Sequence, residues 1–269
     1  PVSFPIANLL ISQIACGAQH TLALSMRHVW AWGDNTYGQL GITGDRVGVF
    51  EPVSIKTLED GGVRQISCGS RHSLALSDTS ELFSWGLGTS GQLGLGDRNS
   101  VRQPTQIRAL KMQGVTLIGS RWEHCFAITE CNDLYMWGLG DSGQLGCGVG
   151  SQAAPIPVRE LRGLIRGASV GQGHTAAFDL YGRLYTWGKN EKGQLGLDHQ
   201  MRGDKVQEVE ALAHEEVRRV QCGANYTFVM CQSGKVRARF RRSLRKRRWK
   251  RKDEHGSLSV CALAVFLSG

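Results

Sequence analysis

Histidine and cysteine are the side chains best suited to acid–base, nucleophilic or metal-binding work. In this sequence they recur at intervals rather than cluster. His20, His72, His124 and His174 each open a short apolar run: H-T-L-A-L-S, H-S-L-A-L-S, H-C-F-A-I-T and H-T-A-A-F-D. Four such copies would require four identical active sites. The recurrence instead reads as a structural histidine bonding a neighbouring loop through one ring nitrogen. The eight cysteines contain no C-x-x-C pair and no Cys/His spacing suited to zinc. Cys16, Cys68 and Cys222 each precede a glycine at one phase, so they read as small buried hydrophobes in a reduced, intracellular compartment. Gly86, Gly88 and Gly91 resemble a phosphate-loop string, but no helix follows them and tight turns explain them better. No nucleophile or carboxylate pair is left over. The sequence therefore predicts no catalytic residue, metal, cofactor or small-molecule substrate.

The elements that must carry these residues repeat. Trp-Gly occurs at Trp32, Trp85, Trp137 and Trp187, and G-Q-L-G follows with the glutamine always seven residues on. These loops begin at Gly38, Gly91, Gly143 and Gly193 and contain Leu40, Leu93, Leu145 and Leu195. Upstream stand C-G-A-Q-H, C-G-S-R-H and V-G-Q-G-H. The third copy reads as a variant, I-G-S-R-W-E-H from Ile118, with two extra residues. A fifth start at Cys222 has Tyr226 in place of histidine, and Pro52, Pro104 and Pro157 mark a common phase before a strand. After each histidine the apolar residues alternate, the signature of a half-buried strand. Aromatics then stand two apart, as in Phe83/Trp85 and Tyr185/Trp187, on one strand face. Each unit of about fifty residues is a hairpin flanked by further short strands, as in a propeller blade. The tryptophan is a large apolar plate to fill the gap between twisted sheets, and its N–H needs an acceptor. The glycines permit turns closed to other residues, and the leucine anchors the loop.

Composition agrees. Glycine is 35 of 269 residues and proline only 6, which favours many tight turns and excludes collagen-like sequence. The longest strongly apolar run is far short of the ~20 residues of a membrane helix. The net charge of +9 is uneven. Residues 1–234 are nearly neutral, while 235–269 hold 12 basic and 2 acidic side chains. The basic run contains Arg241, Arg242, Arg245, Lys246, Arg247, Arg248, Lys250, Arg251 and Lys252. Only this tail is suited to nucleic acid or a nuclear-import receptor. It follows an abrupt break. Where the repeat calls for aromatic-x-Trp-Gly, the chain has Arg237-Ala238-Arg239-Phe240. The break favours a disordered or foreign segment, such as a retained intron, a frameshift or an alternative splice end.

The pattern C-G-x-x-H-T-L-A-L … W-G-x-N-x-x-G-Q-L-G resembles the repeat of the regulator of chromosome condensation family over roughly residues 5–236. The resemblance implies an all-β, seven-bladed propeller, of which this chain carries four complete repeats and part of a fifth, an incomplete ring. The expected repeats are 5–51, 52–103, 104–156, 157–205 and a partial 206–236, with 237–269 as the tail. A chain beginning with Pro1 fits a fragment of a longer protein. The founding member is a chromatin-bound exchange factor for a small GTPase, and other members are interaction modules. The reading is a protein–protein interaction scaffold, cytoplasmic or nuclear. Its alternatives are nucleotide exchange on a Ras-like GTPase and chromatin association through the tail. In the founding member, acidic residues just before the recurrent histidine contact the GTPase. Here Gln19, Arg71, Glu123, Gly173 and Asn225 stand there, and only Glu123 is acidic. Arg121, Trp122 and Glu123 are the candidate partner contacts, unless they form a bulge that merely repacks a strand.

Overall fold

The computed structural model describes residues 10–26, 28–148, 150–199 and 201–239. Its regular structure is strands joined by turns and four single-turn 3-10 helices. Blade 1 is β1 (Ile11–Cys16), β2 (His20–Ser25), β3 (His28–Asp34) and β4 (Gly48–Ser54). Blade 2 is β5 (Val63–Cys68), β6 (His72–Ser77), β7 (Leu82–Gly86) and β8 (Val101–Gln106). Blade 3 is β9 (Val115–Arg121), β10 (His124–Thr129), β11 (Leu134–Gly138) and β12 (Gln152–Pro157). Blade 4 is β13 (Ile165–Val170), β14 (His174–Asp179), β15 (Leu184–Gly188) and β16 (Gly203–Glu208). Blade 5 has three strands among the described residues, β17 (Val217–Cys222), β18 (Thr227–Cys231) and β19 (Val236–Arg239).

Within each blade the strands pair antiparallel in chain order, and the first strands of successive blades lie side by side along the axis. Four blades and a partial fifth therefore form an arc of a propeller. The expected repeat cuts fall inside β4, β8, β12 and β16. Each outer strand instead belongs to the blade before it, because its backbone pairs with the tryptophan strand of that blade. A 3-10 turn follows each outer strand and buries Leu58, Leu110 or Leu161 in the first three linkers. Strand β19 carries blade 5 past residue 236, to Arg239.

The core lies between blades. Leu22, Leu24 and Leu40 of blade 1 pack with Ile66, Ala75 and Trp85 of blade 2, and equivalent clusters fill the next three gaps. A single twisted sheet cannot bury both of its faces, so each blade needs neighbours. Among the described residues no helix is long and apolar enough to cross a membrane.

Register corrects two readings of the repeat. Cys16, Cys68, Val170 and Cys222 each oppose the residue after the His or Tyr, and in blade 3 that place is held by Ser120. The third repeat therefore has no extra residues, and Arg121 occupies the position of Gly17, Gly69, Gly171 and Gly223. The match of Ile118-Gly119-Ser120 to C-G-S was shifted by two. The outer-strand proline equivalent to Pro52 and Pro104 is likewise Pro155, since Val53, Thr105 and Ile156 share one register place. These prolines sit where the outer strand bulges, where no ladder hydrogen bond is lost.

The candidate functional site: blade joints and the loop face

The recurrent residues converge on the joints. The backbone carbonyl of Gln39 accepts the Trp85 indole N–H at 2.9 Å and the Ser73 hydroxyl at 2.7 Å. Gln92 takes Trp137 and the Cys125 thiol, and Gln144 takes Trp187 and Thr175. The G-Q-L-G loop of one blade is thus the acceptor for the tryptophan of the next. Its leucines, Leu40, Leu93, Leu145 and Leu195, are buried. Its last glycine is required by proximity, since a Cβ on Gly41 or Gly94 would lie 2.8 Å from the indole nitrogen. Trp85, Trp137 and Trp187 are fully buried. Trp32 is only half-buried, and among the described residues no blade precedes its own.

The histidines form the second half of the joint. His20 Nε2 lies 3.0 Å from Ser73 Oγ, His124 3.2 Å from Thr175 and His174 3.0 Å from Thr227. Each hydroxyl commits its one proton to a glutamine carbonyl, so the ring nitrogen must be the donor. His72 meets the Cys125 thiol in the same way. Burial drives the imidazole pKa values down from 6.5, to about 4 at His20 and His174 and about 3 at His72 and His124. The neighbouring rings of His20 and His124 add to the effect at His72. With Nε2 donating, the remaining nitrogen Nδ1 of each ring is buried without a hydrogen-bond partner among the described residues, and the lowered pKa makes it a weak base. The glycine of C-G-x-x-H lets the ring lie over its Cα, where a side chain on Gly17, Gly69 or Gly171 would collide with it.

The cysteines divide. Cys68 and Cys222 are buried, each thiol donating to a carbonyl of the preceding blade, and burial pushes both pKa values up. Cys16 is exposed, contrary to the sequence expectation. Among the described residues no three His, Cys, Asp or Glu side chains group as a metal site.

What varies lies at the loop face, where the turns between first and second strands meet the long loops leading to the outer strands. Arg71 stacks 5.2 Å over the Tyr37 ring. Trp122 is 45% exposed in a left-handed backbone conformation, and its carbonyl accepts the Ser70 N–H at 2.8 Å. Glu123 accepts the Ser90 hydroxyl at 2.7 Å. Arg121 Nη1 reaches the Cys222 carbonyl of blade 5 at 3.2 Å. The three candidate contacts are adjacent in sequence but serve different neighbours, namely blade 5, blade 2 and the loop before β8. The sequence did not indicate the reach of Arg121. The basic tail at 241–252 lies outside the described residues.

The model of the regulator of chromosome condensation (RCC1) repeat matches residues 28–76, 80–128, 132–178 and 181–230. The chain belongs to the RCC1-repeat family. Each matched repeat begins at the third strand of one blade or in the turn just before it and ends on the second strand of the next, so every repeat spans a joint. The probable E3 ubiquitin-protein ligase HERC6 of Homo sapiens is 36% identical over 82% of this chain and 22% of that protein. The Ultraviolet-B receptor UVR8 of Arabidopsis thaliana is 35% identical over 84% of this chain and 52% of that protein. The chain thus spans about a fifth of the ligase and about half of the receptor. Human WBSCR16 superposes with a TM-score of 0.77 at 26% identity, over 88% of this chain and 64% of that one. Prp20p of Saccharomyces cerevisiae gives 0.75 at 22%, over 84% and 57%, which shows the shared fold.

Proposed function

We propose that this RCC1-repeat chain is a protein–protein interaction scaffold that reads its partners through blade loops, in the cytoplasm or nucleus. The observation that carries this reading is a division among residues. Those that recur are consumed in the joints, where Trp85, Trp137 and Trp187 are fully buried, whereas Arg71, Trp122 and their neighbours differ from blade to blade. A rigid frame with variable surface loops is what partner recognition needs. Tryptophan and arginine are the side chains that most often carry interface energy. No catalytic residue is part of the reading. The ligase and receptor activities in the relatives' names concern proteins that this chain matches only in part.

Nucleotide exchange on a Ras-like GTPase is the second reading, and the acidic Glu123 is the residue that favours it. The solved Prp20p structure was described with that protein's binding to Gsp1p and histones. Binding of nucleic acid or an import receptor belongs to the tail. Capture of partners from lysate, mapped by cross-linking, tests the scaffold. The double variant R71A/W122A on the loop face should lose the captured protein, and M26S/Y181A on the opposite face should retain it. Equal retention by both would remove the loop face from the account. Unchanged release of labelled GDP from a panel of Ras-like GTPases would remove the exchange reading alone.

A further inference from the structure

The first strands of the blades line an axial groove of about 300 Å³. Its polar lining is neutral and largely engaged. The Gln13 and Gln65 amides are bonded to the backbones of Ile66 and Ile118, and Ser169 accepts the Cys222 N–H. Among the described residues lining it, Arg121 is the one charged side chain. It is exposed, in a position that is glycine in the other four blades. A guanidinium has five N–H donors. Its bond to the Cys222 carbonyl fixes the group across blade 4, and among the described residues no carboxylate pairs with it. The adjacent Glu123 is turned to Ser90.

A cation anchored by a neutral carbonyl, in a groove whose described lining holds no acid, is complementary to an anion. Its planar fork suits a carboxylate. One isolated guanidinium does not suit nucleic acid, which is held by arrays of cations. A volume of about 300 Å³ is at the small end of ligand clefts and suits side chains of an extended segment. Trp122, the next residue along the chain, is itself half-exposed.

The geometry points to an acidic peptide segment of a partner protein seated at the groove mouth. Arg121 takes a carboxylate, and Trp122 packs against a neighbouring apolar side chain. This rests on the scaffold reading and gives the partner its chemistry.

The test is fluorescence polarisation with the full chain and a labelled Asp/Glu-rich peptide containing one Phe. A matched Asn/Gln peptide and a single-stranded oligonucleotide are the controls. The basic tail also attracts acid, so dependence on Arg121 is the readout. R121G installs the residue of the other blades and is expected to fold, which a thermal melt verifies. It should weaken binding of the acidic peptide roughly tenfold, while R121K, which keeps the charge but loses the fork, retains only part of it. W122A should weaken binding less. The inference is overturned if wild type does not bind the acidic peptide or if R121G binds it equally well. It is also overturned if the amide peptide or the oligonucleotide shows the same dependence. If it fails while R71A/W122A still loses captured partners, the scaffold reading stands and only the partner chemistry falls.

Discussion

The joint between blades 2 and 3 and the joint between blades 4 and 5 use the same loop with different contents. In the first, the Gln92 carbonyl holds the Trp137 indole and the Cys125 thiol, and the Gln65 side chain clamps both backbone groups of Ile118. In the second, the Gln194 carbonyl holds the Thr227 hydroxyl. The register place of tryptophan, opposite Thr227, is taken by Arg239, and Gly167 stands where Gln65 does. A Cβ on Gly196 would find its nearest neighbour 3.6 Å away, in Val209, where Gly94 faces an indole at 2.8 Å. Repeating a sequence thus repeats a backbone without repeating the strength of its joints. Blade 5 should open before the others, as local unfolding follows the least buried contacts.

The largest expected effect is at the indole. Trp137→Ala should cost about 3–5 kcal/mol in urea unfolding, because it leaves a cavity between two sheets and strips the Gln92 carbonyl of its indole donor. No single change in the last joint should approach that. A midpoint shift from Trp137→Ala no larger than from Thr227→Ala would break the comparison.

Acid should weaken every joint. The buried imidazoles stay neutral in the fold and take up protons in the unfolded chain. Stability is therefore complete above about pH 6.5 and falls as pH drops toward the folded values of about 4 and 3. Each histidine contributes a slope of about 1.4 kcal/mol per pH unit within its window. The His174 contribution should level off near pH 4 and that of His72 near pH 3. Urea midpoints across pH should show this, and His72→Gln should remove one proton from the slope. A flat profile between pH 6.5 and 4 would contradict the joint geometry.

A glycine pair sharpens the contrast. Gly94 and Gly196 have φ of +69° and +76°, so alanine at either costs about 1–2 kcal/mol of backbone strain. Gly94→Ala should cost more, because its Cβ meets the Trp137 indole. Equal losses would mean that the indole can move aside. The smallest effect is Gln65→Ala, about 1 kcal/mol for the lost clamp.

The fold was legible because the Trp-Gly, G-Q-L-G and alternating apolar signals come from short-range geometry, namely strand period and turn. The third repeat was misread because Gly119-Ser120 mimics the C-G-S of blade 2 when judged by identity. The spacing from histidine to tryptophan, thirteen residues in blades 2, 3 and 4, leaves no room for an insertion. The exposed Cys16 shows the same limit, since its burial depends on a preceding blade rather than on its own motif. Least legible was Arg121. Its acceptor, Cys222, is 101 residues away, and the approach depends on the curvature of the arc, which no local pattern encodes.

The most direct test of the central claim is hydrogen exchange of the tryptophan indole N–H groups in an isotope-labelled chain. If the recurrent residues close the joints, the Trp85, Trp137 and Trp187 indole protons should exchange only through opening of the blades, far more slowly than free indole. Exchange at free-indole rates for those three would contradict the account.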